Sequence, residues 1–236
     1  EVVFNEDSAD LDFRVESNAH ANMLFVDGGE DIVSIVGGGS NNVGGFKNAL
    51  QIEGTTGQTS SMSITRNTAG TSPPYLQFGK TRGASVGSNT IVQSGDTLGI
   101  ITWSGADGTN RDTNAAMIQV DVDGTPGEND MPGRIMFKTT ADGAASTTER
   151  MRITSAGDLL IGKTTTALGT AGHRISSAVG TFVRDGGGAL IVHRLSNDGN
   201  LLEFYKDSTL VGSIKSNGGV TIDIDGGGDR VGLALT

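Results

Sequence analysis

The stretch Leu11-Asp12-Phe13-Arg14-Val15-Glu16 alternates apolar and charged side chains at every position. Successive side chains of a β-strand point to opposite faces, so Leu11, Phe13 and Val15 would share one face and the three charges the other. Such alternation is typical of a strand with one buried and one solvated face. The stretch therefore predicts a half-buried strand.

Similar period-two runs recur along the chain, whereas helix-period patterns are nearly absent. Turn signals such as Asp27-Gly28-Gly29 and Ala141-Asp142-Gly143 separate the runs. The sequence therefore predicts an all-β fold. Further strands are predicted at Leu50–Ile52, Met62–Ile64, Ile118–Val122, Ile135–Phe137, Met151–Ile153, Val220–Ile224 and Val231–Leu235.

A loose internal repeat of strand, turn and strand occurs at residues 25–35, 151–161 and 204–211. A short hairpin cannot bury its own apolar face, so such repeats need neighbours along the chain or from other chains. Three sections are predicted: an N-terminal β-repeat section at 1–57 with a Gly-rich connector at 37–45, a central β domain at 58–164, and a C-terminal Gly-rich hairpin section at 165–236.

The composition favours an oligomer. Hydrophobic residues make up 35% of the 236 residues and aromatic residues 5%, while 37 residues are glycine. A β-rich chain with so little apolar mass would bury too little surface alone, and association turns outer faces into interior. We therefore expect several copies to assemble.

The charge balance excludes several classes of partner. With 17 basic and 27 acidic residues the net charge is −10, so we expect no nucleic acid partner, because phosphate binding needs an excess of Lys and Arg.

No apolar run is long enough to predict membrane insertion. The absence of cysteine excludes disulfides and thiolate metal sites, and fits assembly in a reducing cytoplasm.

Long strings of the chain resemble tail fibres and receptor-binding proteins of tailed bacteriophages. Residues 75–110 read YLQFGKTRGASVGSNTIVQSGDTLGIITWSGADGTN and residues 120–162 read VDVDGTPGENDMPGRIMFKTTADGAASTTERMRITSAGDLLIG. Residues 4–29 and 200–219 also resemble sequences of this family. The family's V-G-I-G-T after the repeat turn is replaced here by Val33-Ser34-Ile35-Val36-Gly37 and by Leu159-Leu160-Ile161-Gly162-Lys163.

The resemblance implies an elongated homotrimeric fibre of short β-hairpin repeats, intertwined like a β-prism or β-helix, around a central small β domain. It also implies a virion location after assembly in the host cytoplasm, and a role in host attachment. The partners would be two further copies, other virion tail proteins, and a host surface glycan or outer-membrane receptor. Such fibres often carry a C-terminal endosialidase-type intramolecular chaperone. The family assigns no catalytic residue, and we expect no enzymatic activity and no cofactor.

Two enzyme-like motifs have simpler explanations. Residues 157–164 match the phosphate-binding pattern G-x-x-x-x-G-K-[ST], which requires a strand before the loop and a helix after it. Here Leu159–Ile161 are predicted to be the strand itself, followed by a poor helix start. Residues 83–87 match G-x-S-x-G, with His173 and His193 downstream, but loop and strand rather than a helix are predicted to follow. A polar inter-strand loop is the favoured interpretation.

Metal binding is also disfavoured. The Asp-rich turns at 121–124 and 223–226 lack the ligand spacing of a calcium loop, and hairpin turns explain their Asp and Gly residues. Incidental calcium stays an alternative. His20, His173 and His193 show no metal spacing, although a histidine on a trimer axis would occur three times.

Trp103, the only tryptophan, is the one candidate receptor contact. It alternates with Ile101 on a predicted strand, which favours burial within the domain or between chains. Stacking on a receptor sugar is the alternative interpretation. A polysaccharide-degrading tailspike is the least favoured, because enzymatic tailspikes use aromatic platforms and this chain has one Trp and two Tyr.

Overall fold

The computed structural model describes residues 12–18, 21–35, 42–218 and 221–226, the last range as backbone only. Every regular element in these ranges is a β-strand, which confirms the predicted all-β fold. No helix in the described part of the chain is long and apolar enough to cross a membrane. Contacts divide the chain into two compact units, Glu1–Thr181 and Phe182–Thr236. The three predicted sections stay a prediction.

The N-terminal part of the first unit contains a four-stranded sheet of order β1-β2-β3-β6 and a small β4-β5 hairpin. β3 and β6 run parallel, whereas the other pairs are antiparallel. Of the predicted Gly-rich connector, residues 37–41 lie outside the described residues, and the rest belongs to the β4-β5 hairpin. The strands are β1 Phe13–Val15, β2 Leu24–Asp27, β3 Ile32–Ile35, β4 Asn42–Val43, β5 Phe46–Lys47 and β6 Leu50–Ile52.

The largest sheet has seven strands in the order β13-β12-β11-β10-β9-β8-β7, so that strands adjacent in sequence are adjacent in space. Within it the register shifts at Thr97–Gly99 and Trp103–Ser104 on β7, and at Glu149–Met151 on β10. The strands are β7 Thr97–Ser104, β8 Asn114–Val122, β9 Gly133–Thr139, β10 Thr148–Ile153, β11 Leu159–Ile161, β12 Gly172–Ile175 and β13 Gly180–Val183.

The second unit contains an antiparallel three-stranded sheet of order β14-β15-β16. Asp207 and Ser208 form the β14–β15 turn with φ angles of 49° and 64°. Short polar side chains tolerate such left-handed backbone better than bulky ones do. The strands are β14 Gly199–Lys206, β15 Thr209–Asn217 and β16 Thr221–Gly226.

All three predicted hairpins are confirmed. Residues 25–35 fall on β2 and β3, residues 151–161 on β10 and β11, and residues 204–211 on β14 and β15. Local alternation and a turn between the two runs were sufficient signals, because each hairpin pairs neighbours in sequence.

One predicted strand is wrong. Met62–Ile64 is not paired with any described strand, and the whole stretch from Glu53 to Asp96 contains no strand. The alternating pattern at 62–64 is present, but the structure gives it no partner strand among the described residues. Leu11, Val220 and the predicted strand at 231–235 lie outside the described residues.

Little of the chain forms a core. Among the described residues, the buried hydrophobic side chains are those of Ile32, Val92, Val122, Met136 and Leu160. Many more large apolar side chains are exposed, and several of them lie on strands. The position of these exposed side chains on the sheets identifies the candidate surface.

Candidate interaction surface

Two rows of side chains cross six strands of the large sheet on one face. Residues directly opposite each other on adjacent strands point to the same side, so the register assigns the faces. The face formed by these rows and Trp103 is named the apolar face. The first row is Ile101, Ile118, Phe137, Met151, Ile161 and His173, and the second is Gly99, Val120, Ile135, Ile153, Leu159 and Ile175.

Most of the apolar face is left open by the described part of the chain; at its β7 end Phe78 lies against Gly99. None of its side chains is buried, and Trp103 at its edge is 51% exposed. Large contiguous apolar patches are uncommon on monomeric proteins and mark interaction sites. Six of the members are more than one third exposed: Ile101, Trp103, Ile135, Ile153, Ile161 and Ile175.

The opposite face of the same sheet, the polar face, carries charged and amide groups that pair with each other. Arg152 donates to Glu149 at 2.6 and 2.7 Å, and Lys138 Nζ donates to Gln119 Oε1 at 2.7 Å. Arg174 forms an ion pair with Asp158 at 3.2 Å. These groups are paired within the chain, although the buried Nε of Arg174 has no hydrogen-bond partner among the described residues.

Burial on the two faces is the reverse of the usual arrangement. Leu160 on the polar face is fully buried, and it lies opposite Arg152 on one neighbouring strand and Arg174 on the other. The aliphatic stems of long charged side chains cover apolar neighbours while their charged heads stay in water. The sheet therefore shields Leu160 on its charged side, whereas six side chains of the apolar face are more than one third exposed.

Arg134 connects the end of β8 to the polar face. Its guanidinium donates to Asp121 Oδ2 and to Asp123 Oδ1, each at 3.0 Å. Asp121 Oδ1 also accepts hydrogen bonds from Gln119 at 2.7 Å and from Thr97 at 2.9 Å. Burial by itself would raise the pKa of Asp121, but these hydrogen bonds and the Arg134 charge outweigh it and hold the pKa below its ordinary value.

Asp123 joins two turns of the sheet. Its Oδ2 accepts hydrogen bonds from the Ser155 backbone N at 2.9 Å and the Ser155 hydroxyl at 3.0 Å. Burial would raise the pKa of Asp123, yet Ser155 and Arg134 together lower it. The Asp-rich turn at 121–124, considered for calcium from the sequence, thus uses its carboxylates to hold Arg134 and Ser155.

A groove of about 250 Å³ opens at the β7 end of the apolar face. Phe78 forms one wall, and a Cβ built on Gly99 would lie 2.8 Å from the Phe78 Cβ. Glycine at position 99 therefore permits the Phe78 segment to approach β7 closely. The other lining residues are Leu98, Ile100, Ile101, Ile118 and Val120.

The N-terminal sheet repeats the arrangement on a smaller scale. Its register places two apolar rows on one face, and Phe13, Val15, Val26 and Leu50 in those rows are exposed. The rows are Phe13, Val26, Val33 and Leu50, and Val15, Leu24, Ile35 and Ile52.

Residues 61–67, named the unpaired segment, form no backbone–backbone hydrogen bond with any described residue. Met62 is 60% exposed and Ile64 46% exposed. On the alternate positions, the hydroxyls of Ser63 and Thr65 are hydrogen-bonded at 3.1 Å. The segment thus has a strand-like alternation of side chains but no neighbouring strand in the described chain.

The enzyme-like motifs have the structural roles predicted for them. Leu159–Ile161 form β11, and no helix follows in the described chain. Lys163 of the phosphate-loop pattern is buried, and its Nζ donates to the carbonyls of Ala167 at 2.7 Å and Thr170 at 3.0 Å. Residues 83–87 lie in an irregular loop.

Neither described histidine belongs to a cluster that could hold a metal ion. His173 is half-buried on β12, His193 is exposed, and His20 lies outside the described residues. The described residues contain no cluster of three or more His, Asp or Glu side chains placed to hold a metal ion. The side chains of the second Asp-rich turn, at 223–226, lie outside the described part of the chain.

Trp103 is placed on β7 beside Ile101, as the alternation predicts, but its burial within the domain is wrong. The face that it shares with Ile101 is open in the single chain. Burial of Trp103 between chains stays a prediction. Receptor contact by Trp103 stays a prediction.

Sequence reasoning missed Arg134, Phe78 and the unpaired segment as features of this surface. The partners of Arg134 follow from the β8–β9 register, for which a pattern within one strand gives no signal. For Phe78, the glycine at position 99 within an otherwise apolar strand is the one local signal in the sequence that another segment approaches β7 closely.

Comparisons with known proteins give a likeness in structure but none in sequence. No protein-family profile matches the chain, and no curated protein matches it. Among solved structures, the carboxy-terminal domain of the bacteriophage T5 L-shaped tail fibre is similar at 15% sequence identity and a TM-score of 0.46. The match covers 59% of this chain and 59% of that chain.

Proposed function

We propose that the chain is a structural, non-enzymatic segment of a homotrimeric tail fibre of a tailed bacteriophage, in which further copies cover the apolar face. The observation that carries this proposal is the pair of rows six strands wide, in which Ile101, Ile135, Ile153, Ile161 and Ile175 are each more than one third exposed. The sequence resemblance of residues 75–164 supplies the class of protein and the number of copies.

Energetics support association through this face. Burying the remaining exposed part of an Ile or Trp side chain gains about 1 kcal/mol. Six such side chains are open on each chain, so mutual cover provides several kcal/mol per subunit before the cost of association. The charges of the opposite face are already paired and can remain in water.

The biological role is to position or to form the host-attachment apparatus of the virion. A stiff assembly of sheets holds a receptor-binding tip away from the particle, and the partners are other tail proteins and a host surface glycan or outer-membrane receptor. Assembly takes place in the host cytoplasm, where a chain without cysteine needs no oxidation. A net charge of −10 per copy favours solubility during assembly.

The mass of the purified chain in solution tests the proposal. Light scattering coupled to size exclusion should give three times the 24.2 kDa of one chain, with no loss of mass on dilution through the micromolar range. A folded monomer that unfolds cooperatively would contradict the proposal.

A receptor-binding module is the second candidate, and the exposure of Trp103 favours it. Trp103 lies at the end of β7, next to the irregular stretch 105–113, and an exposed indole can stack on a sugar ring. In that case Trp103 would stay open to solvent in the assembled particle, and host glycan would change its fluorescence. If Trp103 is shielded without glycan, this candidate fails.

A polysaccharide depolymerase is less well supported. Glycoside hydrolysis generally uses two carboxylates across the scissile bond. The groove beside Phe78 is lined by no carboxylate. In a second groove, beside β6, the one lining carboxylate is that of Glu53, which accepts a hydrogen bond from Arg111.

A further inference from the structure

The outer edge of β7 is unpaired within the described chain. β7 is the terminal strand of the large sheet, and seven of its eight residues pair with β8, on one side only. Long apolar edge strands present a row of free backbone groups that accepts another strand, and proteins normally pair or block them. Along this edge the chain offers the sequence TLGIITWS, which contains neither Pro nor Lys.

The unpaired segment has the complementary property. Residues 61–67 read SMSITRN, contain no Pro, and have backbone groups that pair with no described residue. Seven residues of extended chain span about 23 Å, close to the length of β7. A segment without backbone partners and a sheet edge without a neighbouring strand therefore occur among the described residues of the same chain.

The side chains also match. Added beside β7, the segment would extend the apolar face with Met62 and Ile64, next to Ile101 and Trp103. The hydroxyls of Ser63 and Thr65 would then fall on the polar side, where Thr102 lies. Arg66, which alternates with Ile64, would follow on the apolar side at the end of the segment, so the match of side chains applies to residues 61–65.

We infer that residues 61–67 of one copy pair as an added strand with the outer edge of β7 in a neighbouring copy. This inference rests on the proposed oligomer and specifies one of its contacts. We assign the added strand to a second copy because residues 61–67 do not pair with β7 of their own chain. Phe78, in the same stretch between β6 and β7, does lie against that strand.

Engineered cysteines on two separately tagged chains test the contact directly, since the chain has no native cysteine. One chain carries Ile64→Cys and the other Ile101→Cys, and the two are co-expressed and mildly oxidised. We expect a disulfide between the two tags, because paired residues of adjacent strands bring their Cα atoms within bonding range. The matched control replaces Ile101→Cys with Ile175→Cys, which is on the same face and similarly exposed.

The control site is distant from the proposed contact. β12 lies five strands from β7, about 24 Å away, so Ile175→Cys should not link to Ile64→Cys. A link at position 101 but not 175 supports the inference. Equal linking at both positions, or linking at neither, overturns it.

Hydrogen exchange of the unmodified assembly provides a second measurement that needs no variant. The amides of residues 62–66 should exchange at least about tenfold more slowly in the assembly than in dissociated chains, because strand pairing protects them. Fast exchange of these amides in an assembly of trimeric mass overturns the inference but leaves the proposed function intact. A monomeric mass contradicts the proposed function itself.

Discussion

At the scale of single residues, the polar face contains partly buried ion pairs, and removing one of them should lower stability. Arg134 joins Asp121 and Asp123, and the side chain of Asp121 is only 7% exposed. Removing one partner leaves the other charged group unpaired in a partly buried environment, which is unfavourable. The polar face is therefore the part of the sheet in which a single substitution should affect folding most.

Asp121→Asn should lower the free energy of unfolding at pH 7 by about 2 kcal/mol at a fixed chain concentration, because hydrogen bonds to charged groups contribute roughly that amount. The measurement is urea denaturation followed by circular dichroism. Asp142→Asn, in the exposed β9–β10 turn, is the matched control and should change the value by less than about 0.5 kcal/mol.

The unmodified protein and Asp121→Asn should also differ in pH dependence. The folded-state pKa of Asp121 lies below the ordinary value, so its contribution is present above about pH 4 and is lost as the pH falls toward the folded-state pKa. The gap in unfolding free energy between the two proteins should therefore be constant from about pH 7 to about pH 5 and narrow below about pH 4. A gap that is independent of pH would show that the Asp121 charge is not responsible.

At the scale of the strand, β7 presents its two faces through adjacent residues. Ile101 lies on the apolar face and Thr102 on the polar face, and both are exposed in the single chain. If the chain functioned alone, a lysine would be tolerated at either position. If copies cover the apolar face, lysine should be tolerated at position 102 and not at position 101.

Ile101→Lys should weaken association between copies by at least about 100-fold, because it places an unpaired charge in a covered apolar surface. Thr102→Lys should leave association within a factor of about two, because the polar face stays in water. The dissociation constants can be measured by sedimentation equilibrium. Equal effects of the two substitutions would mean that the apolar face is not the contact surface.

The strands show how far the sequence alone can predict the fold. The β10–β11 hairpin was predictable because its alternation and its turn are close in sequence. The strand at Met62–Ile64 was predicted on the same kind of pattern, yet it has no partner among the described residues. Alternation indicates that a segment is suited to a sheet, but the partner strand is set by contacts far along the chain or on another chain.

The surface was predictable only in part. The placement of Trp103 beside Ile101 follows from alternation on one strand. The paired charges of the opposite face do not, because Arg134 reaches Asp121 across two strands whose register is fixed by the folded sheet. The predicted lack of a sufficient core agrees with the few buried side chains among the described residues.

At the scale of the whole molecule, two sheets of the first unit share one design, with an apolar face left open. Under the proposed function, identical neighbours cover these faces. The acidic charge and the paired polar face suit the outside of such an assembly. The central claim is that the apolar face is buried between copies.

The fluorescence of Trp103 tests that claim most directly, because it is the only tryptophan and lies on the apolar face. In the native assembly its emission should be blue-shifted and resistant to acrylamide quenching, and both properties should be lost when the copies dissociate in mild denaturant before the sheets unfold. Emission at the wavelength of free indole in water, with full quenching in the native state, would contradict the claim.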